Sequence, residues 1–323
     1  MKRILLIVLF LGAFFGSCFA QMMPDSTVQV IAYWSLGDKY NYQVEEEKGF
    51  ISGTDTTIVE KSAEILTLEV VDETDSTYTL KVSYDDFQHS DYARMAANEA
   101  IEKVYGKTWF NVVTDMNGSF LSIEVPDYFS QAGSTAISEA VNTIAAEKGL
   151  SKEERQMAEA VMNAMIKPEA FTAVAIGEIA PLLFFHGARF DLAGEYEYEE
   201  DMTSVFGDRA SIKAYSSLWV DEDYTDEESV VMRIYREADE DAMRSYIVDL
   251  LGTVIQASVP EEDMQDVEEF YDQSSITVED YIIEEIHLGS GWPLYYRQTR
   301  YIDMQVQENL SEQFTRRSVE IIL

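Results

Sequence analysis

SSITVEDYIIEEIHL (residues 274–288), WPLYYRQTRYIDMQV (292–306) and EQFTRRSVEIIL (312–323) follow one another late in the sequence, the first two joined by Gly289-Ser290-Gly291. β-Branched and aromatic residues dominate all three, and glycine brackets the turn, so they read as consecutive antiparallel strands. Such a ribbon does not stand alone. It needs further strands, or helices laid on an apolar face.

Working outward, the sequence supplies both. Val28–Leu36 and Lys39–Glu46 read as two strands around Gly37-Asp38, with Tyr40, Tyr42 and Val44 on one face. Ile58–Val71 and Ser76–Tyr84 form a hairpin in which Leu66, Leu68 and Val70 share a face with Tyr78, Leu80, Val82 and Tyr84. Trp109–Thr114 and Gly118–Val125 form another, turning at Asn117-Gly118. After residue 188, Tyr196 and Tyr198 alternate with Glu195, Glu197 and Glu199, and Ser211–Val220 pairs with Ser229–Tyr235 through the acidic loop Asp221–Glu228.

Helical spacing appears at Asp91–Tyr105, across residues 130–186 and at Asp239–Ala257. Ser151 and Glu154 have the spacing of a capping box. Phe171–Phe185 is nearly all apolar, and Met243, Tyr246, Ile247, Leu250, Leu251, Val254 and Ile255 keep the 3.6-residue period. Both faces must be buried. The expected fold class is therefore α+β: a large curved antiparallel sheet packed with helices. The order of elements repeats, with YNYQVEEE from Tyr40 answering YEYEED from Tyr196, so two duplicated half-sheets joined by residues 130–186 are the alternative to one strongly bent sheet. The regions are a targeting segment (1–20), an N-terminal sheet region (21–129), a helical region (130–187) and a C-terminal sheet region (188–323) containing the helix 239–257.

Lys2-Arg3 followed by the apolar run Ile4–Phe15 and Ala20-Gln21 is a secretory signal pattern. Cleavage after Ala20 is one expectation. Lipidation at Cys18, which follows Phe15-Gly16-Ser17, is the other. Either places the chain outside the cytoplasm, in the periplasm, at the outer membrane or secreted. Cys18 is the only cysteine, so no intrachain disulfide forms. With Lys2 and Arg3 removed, 21 basic and 60 acidic residues leave a net charge of −39. That disfavours nucleic acid, which requires basic patches. No apolar run reaches the length of a spanning helix.

The three histidines, His89, His186 and His287, have no metal-ligand spacing. His287 shares a strand face with Glu285, which reads as an exposed face and not as an acid/base dyad; His186 reads as a helix cap. Asp221-Glu222-Asp223 with Asp226-Glu227-Glu228 lacks the order and central glycine of a calcium loop. No residue is singled out as catalytic, cofactor-binding or metal-ligating, and no cofactor is implied. Tyr281, Trp292, Tyr295, Tyr296 and Tyr301 cluster on the terminal ribbon, either as an aromatic platform for sugar or peptide or as sheet packing.

The signal ending in Ala20-Gln21, Gly37-Asp38-Lys39-Tyr40 entering a strand, and Gly291-Trp292-Pro293-Leu294 entering the last strands resemble a family of exported Bacteroidota proteins. More loosely, a curved sheet with apolar helices resembles the periplasmic LolA/LppX-like lipoprotein carriers. That resemblance implies an acyl-binding cavity and transfers no site residue. The expected function is a non-enzymatic envelope protein that binds a lipid or other apolar ligand. The alternative is a structural or protein-interaction module of the cell envelope, with an envelope protein as partner.

Overall fold

A computed structural model of the chain describes residues 22–23, 26–126, 129–157, 175–203, 211–222, 224–225, 228–247, 274–306 and 309–322. Residues 1–20, with Cys18, lie outside them. The strands are β1 (Met22–Met23), β2 (Thr27–Gln29), β3 (Lys39–Ser52), β4 (Asp55–Glu73), β5 (Thr77–His89), β6 (Trp109–Asp115) and β7 (Phe120–Glu124), then β8 (Arg189–Asp191), β9 (Glu195–Thr203), β10 (Ser211–Val220), β11 (Ser229–Ala238), β12 (Ser274–His287), β13 (Pro293–Val306) and β14 (Asn309–Ile322). Helices α1 (Tyr92–Tyr105) and α2 (Phe129–Lys148) and the 3₁₀ turn Ala180–Leu183 lie between β5 and β8.

The terminal ribbon sits in the middle of the molecule. Eleven strands form one antiparallel sheet in the order β7-β6-β5-β4-β3-β14-β13-β12-β11-β10-β9. The chain's last strand closes onto its first long one, with Glu312 opposite Ile51 and Ile322 opposite Asn41. Period-2 alternation then sends one set of side chains to a common interior. Leu80 and Phe110 from one wing join the same core cluster as Leu218 and Val220 from the other. For both wings to meet one core, the sheet must curl strongly. The space inside the curl is filled by Val28, Val30 and Trp34, and by Ile179, Leu182 and Phe185 around the 3₁₀ turn. Trp34 stacks on Trp292 at 4.6 Å, and each such fully buried large apolar side chain contributes about 1.5–3 kcal/mol. A second cluster, at β9, β10 and β12, joins Met202, Ile212, Ala214 and Val278 to Met243. Met243 belongs to the helix at 240–247, which Asp239 caps by accepting the Ala242 N–H at 2.8 Å.

Two expectations are corrected here. Among the described residues the fold is mostly β, 59 % strand against 21 % helix, and not an α+β packing of helices on a sheet. Nor are there two half-sheets joined by residues 130–186: the β3–β14 ladder makes one continuous sheet. The physical reason is that the apolar residues read as a covering helix fill the inside of the curl, where the wings bury them. α1 packs chiefly on α2 and touches the sheet at β5. Within the predicted helical regions, 129–148, 152–157 and 175–179 are helical, as is 240–247; 158–174 and 248–257 lie outside the described residues. The Ser151–Glu154 capping box forms reciprocally, at 2.8 and 3.2 Å. Val28–Leu36 is not a partner of β3. Only Thr27–Gln29 is strand, and it pairs with β1 and β8.

Gly291 fixes how the β12–β13 turn meets the N-terminal segment. Its φ is +73°, and an added Cβ would overlap the Ile31 carbonyl and lie 2.9 Å from Ala32 Cα. Gly291→Ala should therefore lower the unfolding free energy by about 3 kcal/mol, combining left-handed strain with overpacking. Gly37, at φ +91° in open space, is the control. Gly37→Ala should cost about 1 kcal/mol, and equal losses from the two variants in urea titrations would refute the steric account.

Candidate functional site

The two faces of the sheet differ in chemistry. On the inner face, an ionisable belt crosses the strands directly above the apolar core. Asp280 is fully buried on β12. Arg300 Nε and an Arg300 terminal amine donate to its two oxygens, each at 2.7 Å, and Gln298 and Arg236 add donors at 3.1 and 3.3 Å. Arg236 also grips Glu200 through two bonds, at 2.7 and 3.1 Å, and the Ser216 hydroxyl donates to the same carboxylate. The register explains the convergence: Arg236, Asp280 and Arg300 stand directly opposite one another on β11, β12 and β13. Further round, the Tyr84 hydroxyl donates to Glu178 at 2.5 Å and Arg317 donates to the Glu178 carbonyl at 3.3 Å.

Several groups in this interior titrate abnormally, among them two carboxylates and a histidine. Burial, reinforced by the Glu178 charge and opposed by Arg317, pushes Glu64 up to about 7. Burial alone pushes Glu284 well above the usual carboxylate range, and neither of its oxygens has a hydrogen-bond partner among the described residues. Burial pulls His186 down to about 4. Its Nε2 donates to the Gly291 carbonyl at 2.7 Å, so it is a core pin between the inner plug and the β12–β13 turn.

The outer face carries the groove. It encloses about 780 Å3 over β10–β14 and the β3 end, and its walls include Trp219, Arg233, Tyr281, Arg297, Tyr301 and Arg316. Register again places them. Trp219, Arg233, Ile283 and Arg297 form one transverse row; Tyr235, Tyr281, Thr299 and Arg316 form the next. Tyr281 packs against Tyr235 at 5.1 Å and edge-on to Tyr301 at 5.8 Å, and is 46 % exposed. Glu279 accepts from both Tyr235 and Tyr281, at 2.9 and 3.1 Å, which fixes the rings. Gly49 lets the Phe314 ring lie against the β3 backbone: a Cβ there would sit 2.7 Å from it. Arg233 pairs with Asp221, and Arg316 with Glu47 at 3.6 Å. Arg297 is exposed and has no ion pair among the described residues; its guanidinium lies over Tyr295 at 6.0 Å. A second groove of similar size shares Trp219 and Arg233 and runs on towards the β8–β9 turn.

The aromatic cluster expected on the terminal ribbon is thus divided. Tyr281, Tyr295 and Tyr301 belong to the outer face, whereas Trp292 and Tyr296 are buried inside. Glu285 and His287 are not a dyad: Glu285 accepts from Ser229 and His287 bonds Ser290, both at 2.8 Å. Asp221 of the acidic loop serves Arg233. The arginines of the groove were not singled out from sequence, although pairing β12 against β13 residue by residue puts Arg297 beside Ile283 and Tyr301 beside Glu279.

No family model matches the chain, and no curated protein does. Among solved structures, weak similarities are to in-vitro folded OmpT, an outer membrane protein of Vibrio cholerae, in its trimer form (8 % identity, 89 % of this chain and 100 % of that one, TM-score 0.19), and to the COG4313 outer membrane channel from Pseudomonas putida F1 (7 % identity, 90 % and 98 %, TM-score 0.15). At these TM-scores they carry no argument about fold or function. No helix among the described residues is long and apolar enough to cross a membrane, which says nothing of strands.

Proposed function

We propose that the chain is a non-enzymatic binding protein of the cell envelope, working as an interaction module through the outer face of its sheet. Export rests on the pattern of residues 1–20. The observation that carries the binding role is the groove itself: an exposed arginine with no ion pair among the described residues, beside tyrosines that Glu279 holds. An exposed aromatic patch is the arrangement of a surface that meets a partner. The apolar-ligand role has less support. Of the helical faces that motivated it, Ile179, Leu182, Leu183 and Phe185 are packed in the main core and Met243 in the second.

Hydroxyl-radical footprinting of the exported protein, with and without an extract of its own envelope, tests this. Labelling of Trp219, Tyr281 and Tyr301 should fall several-fold with extract, while Tyr33, which is 55 % exposed away from the groove, stays unchanged. Unaltered labelling of the groove, or protection confined to Tyr33, would refute the proposed working surface.

A further inference from the structure

The chemistry of the groove points to a class of ligand. Resting on the proposal that the outer face is the working surface, we infer that it binds a neutral glycan chain. Three observations combine.

The first is charge balance. The chain has 23 basic and 60 acidic residues, yet the groove walls hold Arg233, Arg297 and Arg316 against Glu279, Asp303 and Glu312. A polyanion would be repelled by the molecule as a whole, and a polycation would be drawn to the acidic surface everywhere and not to this groove. A neutral ligand is indifferent to the net charge. It gains from a wall that mixes donors and acceptors, because each hydroxyl is both. Arg297 can donate to two neighbouring hydroxyl oxygens through its planar fork, and Asp303 and Glu312 accept.

The second is the aromatic diagonal. Trp219, Tyr281 and Tyr301 step across β10, β12 and β13 while moving one row at a time along the strands. Strand spacing and rise put their backbones about 12 Å and about 8 Å apart. Rings on such a line offer apolar platforms to successive C–H faces of an extended chain, and the middle one, Tyr281, is held by its bond to Glu279 and by the edge-on packing of Tyr301. Compact apolar ligands would need the platforms gathered together.

The third is length. The second groove meets the first at Trp219 and Arg233, so the path continues beyond one residue of ligand. A chain molecule fits a continuous path; a single small molecule leaves most of it unused.

Affinity electrophoresis and titration calorimetry of the full exported protein test the inference, with soluble mannan, xylan and mixed-linkage glucan as neutral probes and polygalacturonate as the anionic one. At least one neutral polysaccharide should retard the protein. Trp219→Ala, Tyr281→Ala and Arg297→Ala should each weaken that binding tenfold or more with an unchanged melting temperature, while Tyr281→Phe keeps most of it. Retardation by polygalacturonate alone, by none of the four, or equally in wild type and variants would overturn the inference. The footprint separates the two levels. Protection of the groove by envelope extract, without polysaccharide binding, removes the glycan and leaves the working surface. Absence of both removes the working surface as well.

Discussion

Asp280→Ala should be among the most damaging single substitutions in the sheet, lowering the unfolding free energy by about 3–5 kcal/mol, the cost of breaking a buried ion pair from one side. Asp280 has no exposure and takes four donors from Arg300, Gln298 and Arg236. Its removal takes from the Arg300 guanidinium the carboxylate that accepts two of its bonds, and from Arg236 one bond of three, the other two going to Glu200. The loss is therefore mainly electrostatic, since the Arg300 charge loses its two 2.7 Å bonds to the Asp280 carboxylate. Two comparisons isolate it. Asp280→Leu with Arg300→Met removes both charges and should lose less than Asp280→Ala alone, a coupling that a double-mutant cycle in guanidinium chloride measures directly. Lys39→Ala breaks a salt bridge whose side chains are 54 % and 38 % exposed, and should change stability by no more than about 1 kcal/mol. If Asp280→Ala fell in that same range, the belt would not hold β11, β12 and β13 together as argued.

The belt also shows where sequence reading stops. The strands of 274–322 were legible because one face is apolar and the other is not, and alternation is a local property. The hairpins at Gly289–Gly291 and Asn117-Gly118 were legible for the same reason, since their turn residues lie between the strands they join. The place of β2 was not. Val28 lies opposite Phe190, and nothing within a window around Val28 names a partner so distant in sequence. The interior charges were illegible because Arg236, Asp280 and Arg300 occupy inward positions where alternation calls for apolar residues. Only the cross-strand register reveals that they satisfy one another. The ring cluster was half legible. Tyr281 and Tyr301 follow strand parity, but the register shifts at Glu285/Ile286, so that Ile286 faces Pro293, and Trp292 is turned into the core. The packing of helices on the sheet was misread for a tertiary reason: an apolar stretch such as Ile179–Phe185 reads the same whether it covers a sheet or plugs one.

Glu284→Leu should have the opposite sign to Asp280→Ala, and its signature is a change in pH dependence. Glu284 faces Tyr296 on β13 and Met232 on β11, is fully buried, and has neither oxygen bonded among the described residues. In the fold its carboxyl stays protonated well above the ordinary value of 4.5. The native state therefore holds a proton that the unfolded chain has released. Stability is full below about pH 4.5 and is lost as pH rises towards the folded value, by about 1.4 kcal/mol for each unit in that window. Glu64 and His186 act at lower pH. Glu64, raised to about 7, loses stability in the same direction and has finished by about pH 8. His186, depressed from 6.5 to about 4, works the other way, its neutral form favouring the fold above 6.5 and its contribution falling as pH drops towards 4. Between pH 4.5 and 6.5 these opposing slopes partly cancel, so Glu284 is isolated by the difference between wild type and variant. Above pH 4.5 the wild type should lose more stability with rising pH than Glu284→Leu does. At pH 7.5 the variant should be more stable by at least about 2 kcal/mol, since it also removes an unsatisfied buried polar group. Denaturant titrations of both proteins at pH 5, 7.5, 8 and 9 decide it. Parallel curves across the whole range would mean that Glu284 finds a partner for its charge, and that the inside of the curl is wetter than its apolar lining implies.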